Sequence, residues 1–421
     1  MTKTAKPFQI KSLVYPVFLP SFLFSVGEAG LIPVIPASAE ALGADIPTAG
    51  IIAGLGLLGT LFADIPAVKF VNHFGERKAM ILASGLAALA ILLAVFATNI
   101  WMLSIGIFVT GACHAVFGLA RHGFIAEVVP IEKRGRALAI LGGTFRGGGF
   151  VGPLLGALLI SVWGISSVYW MPVIFGLLAG FVLLTTKPSA LADTPPNQGH
   201  SIFHIAKRES HKLRTLGLAA SSLAIARTAR TIGLPLWALY IHLPVQTAAL
   251  YIGIAGALDF ALFYSSGQLV DRFGRRWAAM PTLTGMALSL FALTLARDST
   301  GFLIVALALS LSNALGSGLV MVIGADLAPK DARNEFLAFY RLMIDGGVAM
   351  TAPAISLMTI AFGLPLAIAG IGVLTLGGAI KLGSGAIHFA HKITSLVTPS
   401  TTSSLATTSE TNPLGLAPST N

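Results

Sequence analysis

Charge is what this sequence has least of. Asp, Glu, Lys and Arg make up 10% of its 421 residues, against roughly 25% in soluble domains, and no stretch gathers enough of them to build a soluble domain. The single cysteine, Cys113, excludes an intramolecular disulfide and a thiolate metal site. No His and Glu stand at zinc-ligand spacing and no GxxxxGK[ST] phosphate loop occurs. ATP hydrolysis and membrane enzymology are thus disfavoured, and no enzyme activity, metal or cofactor is expected.

What the chain has in quantity is apolar sequence, 55% hydrophobic residues with a mean hydropathy of +0.83. A run of about 20 apolar residues crosses a bilayer core as a helix. Such runs predict helices over 13–36, 48–68, 79–98, 100–123, 137–160 and 167–186, then over 215–241, 247–268, 277–296, 301–323, 336–360 and 363–381. The first is read as a retained membrane helix, because Leu13–Pro36 exceeds the ~7–15 residues of a signal-peptide core and Glu28 interrupts it.

The net charge of +10 has the distribution of a membrane protein. Apart from Arg121, Arg146, Arg227, Arg230, Arg297 and Arg341, all Lys and Arg fall in the amino terminus, the carboxyl tail or alternate loops. This is the cytoplasmic excess that orients helices, and nucleic acid is not an expected partner. It places both termini in the cytoplasm. The expected division is a cytoplasmic segment 1–12, a six-helix bundle 13–186, a central cytoplasmic loop 187–214, a second bundle 215–393 and a disordered tail 394–421. The basic end of the central loop, Lys207, Arg208, Lys212 and Arg214, reads as a solvated linker or as a segment lying along the anionic leaflet.

The two halves are related. Pro130 and Arg134 in AEVVPIEKRGR match Pro329 and Arg333 in ADLAPKDARNE, and Phe74 and Gly75 in NHFGERK match Phe273 and Gly274 in DRFGRRW, all at an offset of 199. One offset across two separate loops indicates duplication of a six-helix unit, the parallel repeat of some transporter folds.

Twelve helices in two homologous halves, a long central loop, and the GxxxDRxGRR motif spanning Gly267, Asp271, Arg272, Gly274, Arg275 and Arg276 resemble the major facilitator superfamily of secondary transporters. The chain also resembles its proton-linked drug and metabolite antiporters. The resemblance implies an all-α integral membrane fold, alternating access, and a motif whose acid and cations hold the halves together on the cytoplasmic side. Asp271 would then engage the start of the eleventh helix near Arg333. A loop that only sets topology is the blander alternative. The first-half copy departs from the pattern. Asn72 stands for the acid, Val68 for the first glycine, and only Gly75 and Arg77 keep the later positions, so a weaker latch is expected there. In the fifth helix, Gly148, Gly152, Pro153 and Gly156 resemble the family's antiporter motif, with ordinary tight packing as the alternative reading.

Charges within a membrane helix cost at least ~2.5–3.5 kcal/mol each on insertion scales and mark cavities or partners. Glu28, Asp64, Arg121, Arg146, Arg227, Arg230, Asp259, Arg341 and Asp345 occupy predicted helices 1, 2, 4, 5, 7, 8 and 11, and helices 3, 6, 9 and 12 have none. The resemblance puts those four at the periphery. Glu28 is the first proton-coupling candidate and Asp259 the second. Arg227 and Arg230, three apart on one helix face, could hold a substrate anion or pair with Glu28 or Asp259. Arg146, Arg341, Asp345 and Arg121 complete the cavity candidates, although Arg341 and Asp345 could pair with each other and Arg121 could be an interfacial anchor. His114 reads more readily as structural than as titrating.

The expectation is a monomeric transporter in a bacterial inner membrane, moving a small organic solute by proton-coupled efflux. Proton-coupled uptake of a neutral or anionic metabolite is the alternative, and a transporter-like receptor a more distant one. Its partners would be the solute, the proton and the lipid bilayer.

Overall fold

The computed structural model describes residues 9–186, 202–273, 275–316, 318–329 and 332–397, although the side chains of 131–132, 264–277, 333–335, 383–397 and a few single residues are not described. Among the described residues there is no strand. Ten helices are long and apolar enough to cross a membrane, and two more complete the set of twelve. We label them α1 (Leu19–Leu31), α2 (Ile46–Phe74), α3 (Glu76–Val95), α4 (Ile100–Val128), α5 (Ile131–Trp163), α6 (Trp170–Thr185), α7 (Leu218–Tyr240), α8 (Val245–Phe273), α9 (Arg275–Leu293), α10 (Ser299–Leu315), α11 (Arg333–Phe362) and α12 (Leu364–Val397). The helices missing from the ten are α7, which carries Arg227, Arg230, two Ser and two Thr, and α9, whose apolar part is short.

Most predicted helices are present, with four corrections. The first ends at Leu31 instead of residue 36, turns through Ile32–Val34 and resumes as a short helix, Ile35–Ala41, because Pro33 and Pro36 cannot donate to a continuing ladder. The tenth is interrupted after Leu315 and resumes at Leu319–Leu327, with Gly318 left-handed at φ 76°. The twelfth runs to Val397, four residues into the expected tail. Loss of apolarity at Lys381 ends the membrane-like run but not the helix. Part of the central loop is helical, at Ile202–Arg208 and from Ser210 through Gly217. There Glu209 pairs with Lys212 at 2.8 Å and Arg208 at 3.2 Å, and Lys212 first among these contacts holds its carboxyl below the usual range. Residues 187–201 and 398–421, where the rest of the loop and tail were expected, lie outside the described residues.

The duplication extends far beyond the two loops that revealed it. A π-helical turn at Val14–Phe18 recurs at Leu213–Gly217, α1 and α7 start at Leu19 and Leu218, and α2 and α8 span Ile46–Phe74 and Val245–Phe273. Asn99 and Asp298 each cap the fourth helix of their own unit, α4 and α10, with a side-chain oxygen. Gly164 and Gly363, at φ 81° and 83°, terminate α5 and α11. All of these are 199 residues apart, so the structure is two copies of one folding unit.

The halves meet along two seams, α2 against α11 and α5 against α8. Gly54 packs so closely that a Cβ there would collide with Ala352, and a Cβ at Gly256 would lie 3.1 Å from the Cβ of Phe150. Trp237 of α7, fully buried, donates its indole N–H to the Ala296 carbonyl at 2.7 Å and lies under the Arg297 guanidinium.

Candidate functional site

Glu28 owes its position to its glycine neighbours. Gly27 abuts the backbone of Pro172 in α6, and Gly30 abuts Met171 and the Gly152 carbonyl of α5. Gly148 and Gly152 of α5 approach α1 at Ser25, Val26 and Gly30, and Ser25 donates to the Phe145 carbonyl at 3.2 Å. Two faces of α1 are therefore committed to backbone contact, and Glu28 takes the remaining face. The glycines of the fifth-helix motif are placed as packing residues against α1, with Gly156 at the edge of the same contact.

On that face Glu28 meets His114 of α4, Oε2 to Nδ1 at 2.6 Å. Both line a cavity of about 250 Å³ between α1, α2 and α4 of the first half and α7 of the second, with Thr60, Thr110, Thr231 and apolar residues such as Ile107, Ile232 and Pro235. A carboxylate and an imidazole in hydrogen-bond contact can share, take up and release a proton. The wall around them is otherwise hydroxylic or apolar.

A second charged cluster joins the halves. Arg146 of α5 contacts Asp259 of α8 at 2.6 Å, with its guanidinium over the Phe263 ring. The other Asp259 oxygen accepts from Asn313 Nδ2 at 2.9 Å, and the Asn313 carbonyl oxygen accepts from Arg227 Nε at 2.8 Å. Arg227 also donates to the Gly316 carbonyl at 2.7 Å, one of the groups set free where α10 breaks. An interrupted helix is tolerated at membrane depth only where such groups are satisfied inside the protein. Arg230 donates to Ser310 Oγ at 2.9 Å. Thus Asp259 pairs directly with Arg146 and reaches Arg227 only through Asn313, while Glu28 pairs with neither Arg227 nor Arg230.

The remaining candidates fall elsewhere. Arg341 and Asp345 pair along α11 at 3.3 Å, and Asp64 lies within electrostatic reach of both and of His114. Arg121 is 5% exposed and stacks on Phe145 with 3.7 Å to the ring centroid, so it is a buried cation and not an interfacial anchor. Its Nε and Nη1 have no hydrogen-bond partner. Asn72 is exposed, Gly75 is left-handed at the α2–α3 turn, and Arg77 donates to the Leu183 and Leu184 carbonyls at the end of α6. Gly274 lies outside the described residues, as do the side chains of Asp271, Arg272, Arg275 and Arg276, and nothing is described around Gly267 beyond its place in α8.

Two site residues escaped the sequence reading, which held His114 to be structural and did not consider Asn313. The signal was the offset itself. Glu28 and Arg227 are 199 apart, and so are His114 and Asn313. The pair Glu28–His114 in one half thus occupies the positions of Arg227–Asn313 in the other.

Comparison with known proteins agrees with this architecture. The family described as Major Facilitator Superfamily matches residues 17–324. A tetracycline resistance protein, class H, of Pasteurella multocida is 29% identical over 45% of this chain and 49% of its own length, so the match spans about half of that relative. An uncharacterised MFS-type transporter of Methanocaldococcus jannaschii is 20% identical over 82% of this chain and 90% of its own. Among solved structures, a bacterial homologue of the human lysosomal transporter Spinster, inward-facing and unoccupied, has a TM-score of 0.73 at 16% identity, covering 92% of this chain and 98% of that one. A D-xylose–proton symporter has 0.70 at 16% identity, covering 89% and 96%.

Proposed function

The chain belongs to the Major Facilitator Superfamily, and from that premise we propose that it is a proton-coupled secondary transporter of a small organic solute, working by alternating access. The observation that carries the reading is the Glu28–His114 pair in the cavity wall. When movement of the halves changes its hydration and its distance from neighbouring cations, the proton equilibrium moves with it. That is the elementary step needed to couple a proton to each cycle.

Export is the preferred direction. The relatives include proteins named for tetracycline resistance and multidrug resistance, and the α5 glycines resemble the antiporter motif. Proton symport is the second reading, favoured by the intramembrane arginines Arg146, Arg227 and Arg230 around Asp259, which suit a metabolite better than a cationic drug. The basic loops set the orientation, with both termini in the cytoplasm of a bacterial plasma membrane.

The test is flux in proteoliposomes. Glu28→Gln is expected to abolish accumulation driven by a pH gradient while solute exchange continues. Undiminished gradient-driven accumulation would remove the pair from the mechanism, and a protein that carries no solute under either condition would favour the receptor reading.

A further inference from the structure

The repeat has placed opposite chemistry at equivalent positions, and this deepens the transport reading on which it rests. Where the first half has an acid bonded to an imidazole, the second has a guanidinium bonded to an amide, Arg227 to Asn313 at 2.8 Å. An amide does not titrate, so the second-half pair is built to fix a cation in place. Arg146 and Arg230 lie within the same electrostatic neighbourhood, and among the described residues the cluster holds three arginines and one carboxylate, Asp259. Two uncompensated positive charges at membrane depth are costly.

Arg230 is the open member. It spends one N–H on Ser310, and its other donors have no partner among the described residues. A guanidinium with a free edge is suited to bidentate recognition of a carboxylate or phosphate. Arg230 is only partly buried, and its neighbour Thr231 lines the cavity together with Ile232 and Pro235, so Arg230 lies beside that cavity and not in its wall. Asp259 is already engaged by Arg146 and Asn313 and does not neutralise Arg230 directly.

We propose that the transported solute is a small organic dianion, bound in the second half at Arg230 and Arg227, while the first half keeps the proton pair. A dicarboxylate and a phosphate monoester both present this chemistry.

The experiment is thermal stability of the purified full-length protein at fixed pH and constant ionic strength, titrated with glutarate, glycerol 3-phosphate or the neutral dimethyl glutarate. A saturable rise in Tm with at least one anion, and none with the diester, is expected. Which anion acts separates the carboxylate from the phosphate source. Arg230→Gln should raise the apparent Kd at least tenfold, and Arg230→Lys, which keeps the charge but loses the fork, at least threefold, so the second variant reads the site if the first does not fold. Equal stabilisation by the diester, no saturable shift with either anion, or an unchanged Kd in the folded variants would overturn the proposal. No pH gradient is imposed, so these outcomes leave proton coupling at Glu28 standing, and failure of Glu28→Gln to uncouple flux would leave anion binding standing.

Discussion

At the scale of single residues, the two clusters differ in what they tolerate. Asp259 is 6% exposed and answers Arg146 across the interface between halves. Asp259→Asn leaves Arg146 charged without its counter-ion, and removing one member of a buried pair typically costs about 3–5 kcal/mol. A large fall in Tm is expected for Asp259→Asn, with much of it recovered in Arg146→Met/Asp259→Leu, where neither charge remains. Equal Tm in the single variant and wild type would show that the pair does not hold the halves. Replacing His114 by Gln keeps a polar partner for Glu28 but removes its titrating group. Transport should persist with a weakened dependence on the pH gradient.

Much of this site was legible as a set of residues but not as a set of contacts. Scarcity of charge made every intramembrane acid and cation conspicuous, and the structure gathers Glu28 with His114 and Arg146, Arg227, Arg230 and Asp259 with one another, while Arg121, Asp64, Arg341 and Asp345 lie elsewhere. Apart from Arg341–Asp345, one turn apart on α11, pairing was not readable, because each bond of the two clusters joins residues on different helices, 54 or more positions apart, and depends on which face each helix buries. Glycine placement decides that for α1, and the break at residues 316–318 decides it for Arg227, whose partner is a carbonyl that an unbroken α10 would have kept for itself.

At the scale of elements, caps and close contacts set the helix ends and seams. Asp45 begins α2 by accepting from the Thr48 backbone N–H at 3.0 Å, and the Thr48 side chain first, then that N–H, hold its carboxyl below the usual range. Asp45→Ala should cost about 1 kcal/mol. Because the folded pKa is lowered, this stabilisation is complete above the ordinary carboxylate pKa of about 3.9 and is lost as pH falls through the lower folded value. Stability measured against pH should show that acid-side loss in wild type and a smaller one in Asp45→Asn. Gly54 sets the α2–α11 seam. Gly54→Leu has no room beside Ala352 and should part the two helices, seen as increased labelling of a cysteine placed at Gly50. Unaltered labelling would mean the seam is held elsewhere. The unforeseen helix ends were those set by Pro33, Pro36 and Gly318, local backbone effects that a hydropathy window averages away.

At the scale of the whole molecule, the account is one of symmetry made unequal. Two copies of a six-helix unit keep the same turns and caps over nearly their full length. They differ at equivalent positions, with Glu28–His114 in one half where the other has Arg227–Asn313, and with Asn72 in the first-half loop where the second half has Asp271. Asn72→Asp restores a charge to the weaker loop. If that loop is a latch, periplasmic cysteine labelling should rise in this variant and fall in Asp271→Asn, and labelling unchanged in both would reduce the loops to topology signals.

The central claim is that Glu28 carries the coupled proton. Its most direct test begins with a ligand-stabilisation screen of the purified protein and proceeds to the hit's flux in proteoliposomes, with internal pH recorded in wild type and Glu28→Gln. In wild type, solute flux and proton movement should rise and fall together, and an imposed pH gradient should drive accumulation. In Glu28→Gln, solute should exchange without proton movement and without accumulation. Proton movement that still accompanies flux in the variant would contradict the account.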